Sequence, residues 1–277
     1  MVLDKYGILV KNKTKSGGLE WFADAWNNGH SRNLNDGDVD PYDSKFKYTT
    51  GSPEFPITID GAGLVKLRAT TPMTSVRFWV TGPWTNTEMT IYVKRVAVCA
   101  NMQMRSRSKH SQSDSENCLW GNYDTNWNID DGNVKSEVEV THPVYARTVN
   151  QNPFVGKTIP TDRYVGFKQV TRTVTNSKVL VKGYSNYSST QDSSPGNQAQ
   201  SDWHKDIEYT YDGTNATAVS DDPNIFSFCG TSGDNLLGNL TANTLWLSAG
   251  NYCWVRINNA TQFNLRWFSV REINPIL

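Results

Sequence analysis

The chain has 277 residues, of which 37% are hydrophobic and ten are Trp, enough apolar material for one sizeable core. Lys and Arg total 27, as do Asp and Glu, so the formal charge is zero and no long-range field draws in nucleic acid or an anionic membrane. No apolar run approaches the roughly 18 residues of a spanning helix, so neither a nucleic-acid partner nor membrane insertion is expected.

In chain order, Tyr6–Lys11 reads as a short strand, and the aromatic stretch 18–29 ends in a turn signal. An acidic, Gly-rich loop follows with Asp36, Asp38, Asp40 and Asp43. Asp at alternate positions can ligate calcium, so Ca2+ at Asp36, Asp38 and Asp40 is one reading and a turn-rich surface loop the other; no cofactor is required. Ile57–Asp60, Leu64–Ala69 and Ser75–Thr81 read as strands separated by Gly- or Pro-bearing turns.

Three segments then alternate apolar and polar residues. Glu88–Lys94 sets Glu88, Thr90, Tyr92 and Lys94 against Met89, Ile91 and Val93. Asn101–Arg107 sets Asn101, Gln103, Arg105 and Arg107 against Met102, Met104 and Ser106. Asn133–Thr141 sets Asn133, Lys135, Glu137, Glu139 and Thr141 against Val134, Ser136, Val138 and Val140. Period-two patterning predicts strands with one face in a core and one in water. The wet faces carry a mixture of groups suited to a hydroxyl-rich, charged polymer, or form the ordinary solvent faces of a sandwich.

Between these strands, Ser106–Asn117 reads as a polar loop carrying His110, and Asp124–Gly132 as a turn-rich segment holding Trp127. Tyr164–Val174, Lys178–Tyr184, Trp203–Tyr211, Leu245–Ser248, Tyr252–Ile257 and Phe263–Ile273 read as strands, with a Ser/Gln/Asn-rich loop over Tyr187–Asp202. No helical period and no linker is evident, which predicts one all-β domain over residues 1–277.

Cys99, Cys118, Cys229 and Cys253 match no zinc spacing; two disulfides or four buried thiols are both compatible. Asn12, Asn186, Asn215, Asn239 and Asn259 begin Asn-x-Ser/Thr triplets. The opening Met-Val-Leu-Asp-Lys-Tyr lacks the basic leader and apolar core of a signal peptide. An extracellular or virion-associated setting is expected, and the oligomeric state stays open.

Several short motifs recur in one order. They are Gly17-Gly18-x-x-Trp21-Phe22, Trp26-Asn27-Asn28-Gly29, Asn86-x-Glu88-x-Thr90-x-Tyr92, Arg107-x-x-His110 and Asp131-Gly132. Glu137-x-Glu139-x-x-His142-Pro143, Gly166-Phe167-Lys168 and Ser269-Val270-Arg271-Glu272-Ile273 complete them. Together they resemble the concanavalin A-like β-jelly-roll domains related to polysaccharide lyases. The resemblance implies a two-sheet antiparallel sandwich with a concave cleft and a polysaccharide partner. Alginate lyases of this architecture carry Arg-x-Glu-x-Arg, Gln-x-His and Tyr-x-Lys patterns in the cleft; this chain offers Gln103-Met-Arg105-Ser-Arg107 for the first.

β-Elimination on a uronate polymer needs a neutralised carboxylate, a base and an acid. Arg105 and Arg107 can neutralise, or can pair with Glu137 and Glu139 across strands. Gln103 can add a hydrogen bond, His110 or His142 can act as base, Tyr92 as acid or base, and Lys168 can steady developing charge. Glu88, Lys94, Asn133, Lys135 and Trp127 complete the candidate substrate contacts. A non-catalytic glycan-binding or virion-surface module is the alternative. Hydrolysis by Glu137 and Glu139 is the third reading.

Overall fold

The computed structural model describes residues 2–109, 121–141, 144–151, 160, 163–175, 178–187, 195, 200–212, 217–219 and 249–276. Among them are one 3-10 turn, Asp24–Asn27, and sixteen strands. The early strands are β1 (Glu20–Phe22), β2 (Arg32–Leu34), β3 (Val39–Asp40), β4 (Asp43–Thr50) and β5 (Ile57–Ile59). Next come β6 (Val65–Trp84), β7 (Thr87–Arg95), β8 (Asn101–Ser108), β9 (Asn122–Asn128), β10 (Val134–Thr141) and β11 (Val144–Gln151). The last are β12 (Val165–Thr173), β13 (Val179–Asn186), β14 (His204–Tyr211), β15 (Thr217–Val219) and β16 (Gly250–Glu272). No helix of the described residues is long and apolar enough to cross a membrane.

Two long strands organise the sheet. β6 and β16 run antiparallel from Gly250↔Trp84 to Leu265↔Val65. Along its other edge β16 pairs first with β8, through Tyr252–Asn258, and then with β7, through Phe263–Glu272. One wing therefore continues β8-β9-β10-β11-β15 and the other β7-β12-β13-β14. Asn259 lies at the changeover with φ +49, a backbone bend that redirects the strand.

The wings fold face to face as an antiparallel β-sandwich of jelly-roll type. Gln169 of β12 donates from Nε2 to the carbonyls of Met104 (2.8 Å) and Tyr123 (3.2 Å) on the opposite wing. The Ser106 and Thr171 hydroxyls meet at 2.6 Å, and the Trp127 and Phe167 rings at 5.3 Å. Gly183 is what lets β13 come this close. A Cβ there would stand 2.8 Å from Thr125 Cγ2 and 3.0 Å from Trp127 Cζ2.

The core follows from the alternation: Met89, Ile91, Val93, Met102 and Met104 all point inward, as predicted. Phe46, Phe78, Phe263 and Phe268 join them, with Trp21, Trp26 and Trp127. Each fully buried large side chain of this kind contributes about 1.5–3 kcal/mol relative to exposure.

Several expectations change. Leu64–Ala69 and Ser75–Thr81 are one strand, because β16 spans the Thr70–Pro72 stretch with a bulge at Ala260/Gln262. Tyr252–Ile257 and Phe263–Ile273 merge likewise into β16. Asp124–Gly132 is not a turn as a whole: Asn122–Asn128 forms β9, and only the residues after it turn. Asn and Asp are poor strand formers in isolation, and here the neighbours β8 and β10 impose the strand. Tyr6–Lys11 makes no ladder, only the isolated bridge Leu3↔Leu9. Leu245–Ser248 lies outside the described residues, as do His110, His142, Cys118 and Cys229. Cys99 and Cys253 are buried free thiols.

Candidate functional site

The two outer faces of the sandwich receive different residues from the period-two pattern. Directly opposed residues share a face, so the registers define rows across the β8 wing. One row runs Lys47–Trp79–Trp254–Arg105–Asp124–Glu137. The next runs Thr49–Arg77–Arg256–Gln103–Asn126–Lys135, and a third brings Asn258, Asn101 and Asn128 together.

Apart from Lys47, the first row is buried and tightly coupled. Trp79 and Trp254 stack at 4.4 Å, and the Arg105 guanidinium carbon lies 4.8 Å from the Trp254 ring. Arg105 Nε stands 3.1 Å from Asp124 Oδ2, Nη1 donates to Glu139 Oε2 at 2.9 Å, and Nη2 donates to Gln103 Oε1 at 3.1 Å. Asn122 donates its side-chain amide to the same Glu139 oxygen. Burial raises the Asp124 carboxyl to about 7; Arg105 pulls it down, while Glu137 and Glu139 add to the rise. Among the described residues the Asp124 oxygens accept no hydrogen bond, so Arg105 offsets only part of the desolvation cost.

The other two rows open outward. Asn101, Asn126, Asn128, Asn133 and Lys135 line a depression of about 400 Å³. Arg256 Nε donates to Asn258 Oδ1, and Asn258 Nδ2 to Asn101 Oδ1, both at 2.6 Å. Lys135 Nζ lies 3.0 Å from Glu137 Oε1. Asn126 is 5% exposed, and its Oδ1 is a buried acceptor with no hydrogen-bond partner among the described residues.

The candidate residues therefore divide. Gln103, Arg105, Asn133, Lys135, Glu137 and Glu139 meet on this face or at its rim. Arg107 does not. Its φ of +51 breaks the alternation and sends the guanidinium to the Asn86 and Thr173 side chains, at 3.0 and 2.9 Å, and to the Thr85 carbonyl. Burial lowers its pKa to about 10. Trp127 points into the sandwich, where its Nε1 donates to Asp206 at 2.8 Å.

Glu88, Tyr92, Lys94 and Lys168 lie on the outer face of the other wing, so one common trough for all candidates does not form. Glu88 and Lys168 meet at 2.9 Å with no exposure, and Arg271 Nη2 is also 2.9 Å from Glu88. Backbone amides of Lys11 and Asn12 donate to the same carboxylate, so the N-terminal segment seals this node. Burial raises the Glu88 carboxyl, but Lys168 and Arg271 outweigh it and hold it below the ordinary value. Tyr92 is buried against Trp203 and Trp267 at 6.0 and 5.2 Å, and Lys94 Nζ lies 5.8 Å from the Tyr164 ring.

The three acidic-loop residues serve the chain itself. Asp36 accepts from Thr50 N, Asp38 from Asn35 N, and Asp40 pairs with Arg32. Among the described residues no group of three or more His, Cys, Asp or Glu is placed to hold a metal.

Sequence reading missed Asp124, Asn126, Asn128, Trp79, Trp254 and Arg256. A signal existed in β9, where Asn122, Asp124, Asn126 and Asn128 alternate with Tyr123, Thr125 and Trp127. The turn propensity of Asn and Asp masks it.

No known family profile matches the chain, and no curated protein sequence does. Solved structures that align with it include a galectin-like protein of unknown function from Bacillus subtilis, at 8% identity over 88% of this chain and 90% of that one, with a TM-score of 0.43. A carbohydrate binding module from Bacillus subtilis aligns at 8% identity over 75% and 86%, with a TM-score of 0.41. An endo-β-1,4-glucuronan lyase from the fungus Trichoderma reesei aligns at 10% identity over 89% and 94%, with a TM-score of 0.39.

Proposed function

We propose that the protein engages a polysaccharide along the amide-lined depression of the β8 wing. The observation that carries this reading is Asn126, an almost buried amide whose acceptor oxygen has no partner among the described residues, set among Asn101, Asn128, Asn133 and Lys135. Amides both donate and accept, which is what a chain of hydroxyls demands.

β-Elimination fits this face less well than binding does. Arg105 is already held by Asp124, Glu139 and Gln103, and Arg107 is turned away, so neither is poised to neutralise a uronate. Hydrolysis fits no better: Asp124 and Glu137 lie directly opposite each other, but both are buried and Asp124 stands against Arg105, out of reach of a glycosidic oxygen.

Electrophoresis through gels cast with alginate, glucuronan, pectate, hyaluronan or a neutral glucan tests the reading. At least one polymer should retard the protein, and the double variant Asn126→Ala, Lys135→Ala should migrate as in a plain gel. Retardation by none sinks it. Parallel assays of reducing ends and of unsaturated uronide absorbance separate binding from hydrolysis and elimination.

A further inference from the structure

The opposite face holds a second pocket that the polymer face does not use. It measures about 450 Å³ and is lined by Lys5, Tyr6, Asp24, Trp26, Arg266 and Trp267, among others. We propose that it binds a single carboxylate-bearing sugar unit, with the carboxylate on Arg266 and the ring against Trp267. The ligand's being a sugar rests on the glycan reading above; its being an anion rests on this pocket alone.

Arg266 is half-buried, its Nε is shielded from solvent, and that nitrogen has no hydrogen-bond acceptor among the described residues. Its contacts are with aromatic rings: the guanidinium carbon lies 5.9 Å from the Trp267 ring and 6.0 Å from that of Tyr164. A guanidinium held over rings, with its fork uncommitted among the described residues, is set up for a bidentate carboxylate. The pocket's own acid does not compete, because Asp24 is taken by Lys5 at 2.5 Å. Lys94, over the same Tyr164 ring at 5.8 Å, adds positive potential nearby.

Trp267 supplies the second argument. It has a φ of +50, in the left-handed region that a bulky residue seldom enters. The cause is a bulge between Arg266 and Ser269 in the β16–β7 pairing. Bulges of this kind re-aim a side chain. Here the indole is gripped edge-on by Tyr92 at 5.2 Å and tilted against Tyr164 at 5.7 Å, while part of it faces the pocket. Trp26, which also lines the pocket, has a buried Nε1–H with no acceptor. A polar ligand with a flat apolar face matches a rigid indole, a free fork and an orphan donor, and the volume falls in the usual range for small-ligand sites.

The test titrates sodium glucuronate, glucose and acetate into the full chain and follows indole N–H resonances and tryptophan fluorescence. Glucuronate should bind saturably and shift the Trp26 indole N–H signal, with glucose and acetate at least ten-fold weaker. Arg266→Gln should weaken glucuronate at least ten-fold. Arg266→Lys, which keeps the charge and loses the fork, should weaken it at least three-fold. Equal binding of acetate, equal binding of glucose, or no saturable binding of glucuronate by the unmodified chain overturns the proposal, whether or not the variants fold. Polymer retardation of the same preparation separates the two readings. Retardation without glucuronate binding removes this pocket alone, and the reverse removes the polymer face alone.

Discussion

Arg105 and Trp254 face each other across the β8–β16 pair, with the guanidinium 4.8 Å from the indole and its nitrogens engaged by Asp124 and Glu139. One cation thus holds two buried carboxylates while resting on a stacked tryptophan pair. Removing it leaves both acids uncompensated in a low-dielectric setting. Arg105→Met should destabilise the protein by about 3–5 kcal/mol in urea unfolding. A loss under about 1 kcal/mol would show that the acids relax to solvent or pair elsewhere.

Asp124 gives that network a pH dependence. Its folded carboxyl titrates near 7 against 3.8 for a free one, chiefly through burial. A raised carboxyl favours the folded state most below pH 3.8 and loses that contribution as pH climbs through about 7. Asp124→Asn cannot ionise, so its stability relative to the parent should rise between pH 4 and pH 7 and level off above. Parallel unfolding midpoints for the two proteins across that range would contradict the assignment.

Glu88 makes the opposite case on the other wing. Its carboxylate sits between Lys168 and Arg271 and accepts two backbone amides from the N-terminal segment. Glu88→Gln should cost about 3 kcal/mol or more, and hydrogen exchange at Lys11 and Asn12 should quicken. Because Glu88 is remote from the amide depression, polymer retardation at a temperature where the variant stays folded should be unchanged. Lost retardation in a folded variant would move the glycan site to this face.

Gly183 tests the approach of the two wings. Ala at that position would press its methyl into Thr125, Ile207 and Trp127 at 2.8–3.0 Å. Gly183→Ala should lower stability by about 1–3 kcal/mol and shift the near-ultraviolet signal of Trp127. An unchanged melting temperature would mean that β13 and β9 are not packed as described.

The strands were legible where side chains alternate and where both faces have distinct tasks. In Met89-Thr90-Ile91 and Met102-Gln103-Met104 the inward Met and Ile are as read, but Thr90 and Gln103, expected in water, are buried because Lys168 and Arg105 pack onto them. β9 was not legible, since Asn and Asp at every second position mimic a turn until β8 and β10 supply hydrogen-bond partners on both edges. Pairing of Arg105 with an acid was foreseeable from charge and spacing. Glu139 was among the acids the sequence offered it; that Asp124 would be the second partner depended on register, which local sequence does not carry.

The amino-acid order by itself determined that this chain is all-β and which side of each patterned strand carries the apolar residues. The tertiary structure alone decided that the opposite, polar sides form two faces rather than one. A period of two fixes the side of a strand a residue occupies, but the wing that strand joins is set by where β16 changes partners at Asn259. The same holds for Arg107 and Trp267, whose left-handed backbones overrule the alternation and re-aim both side chains.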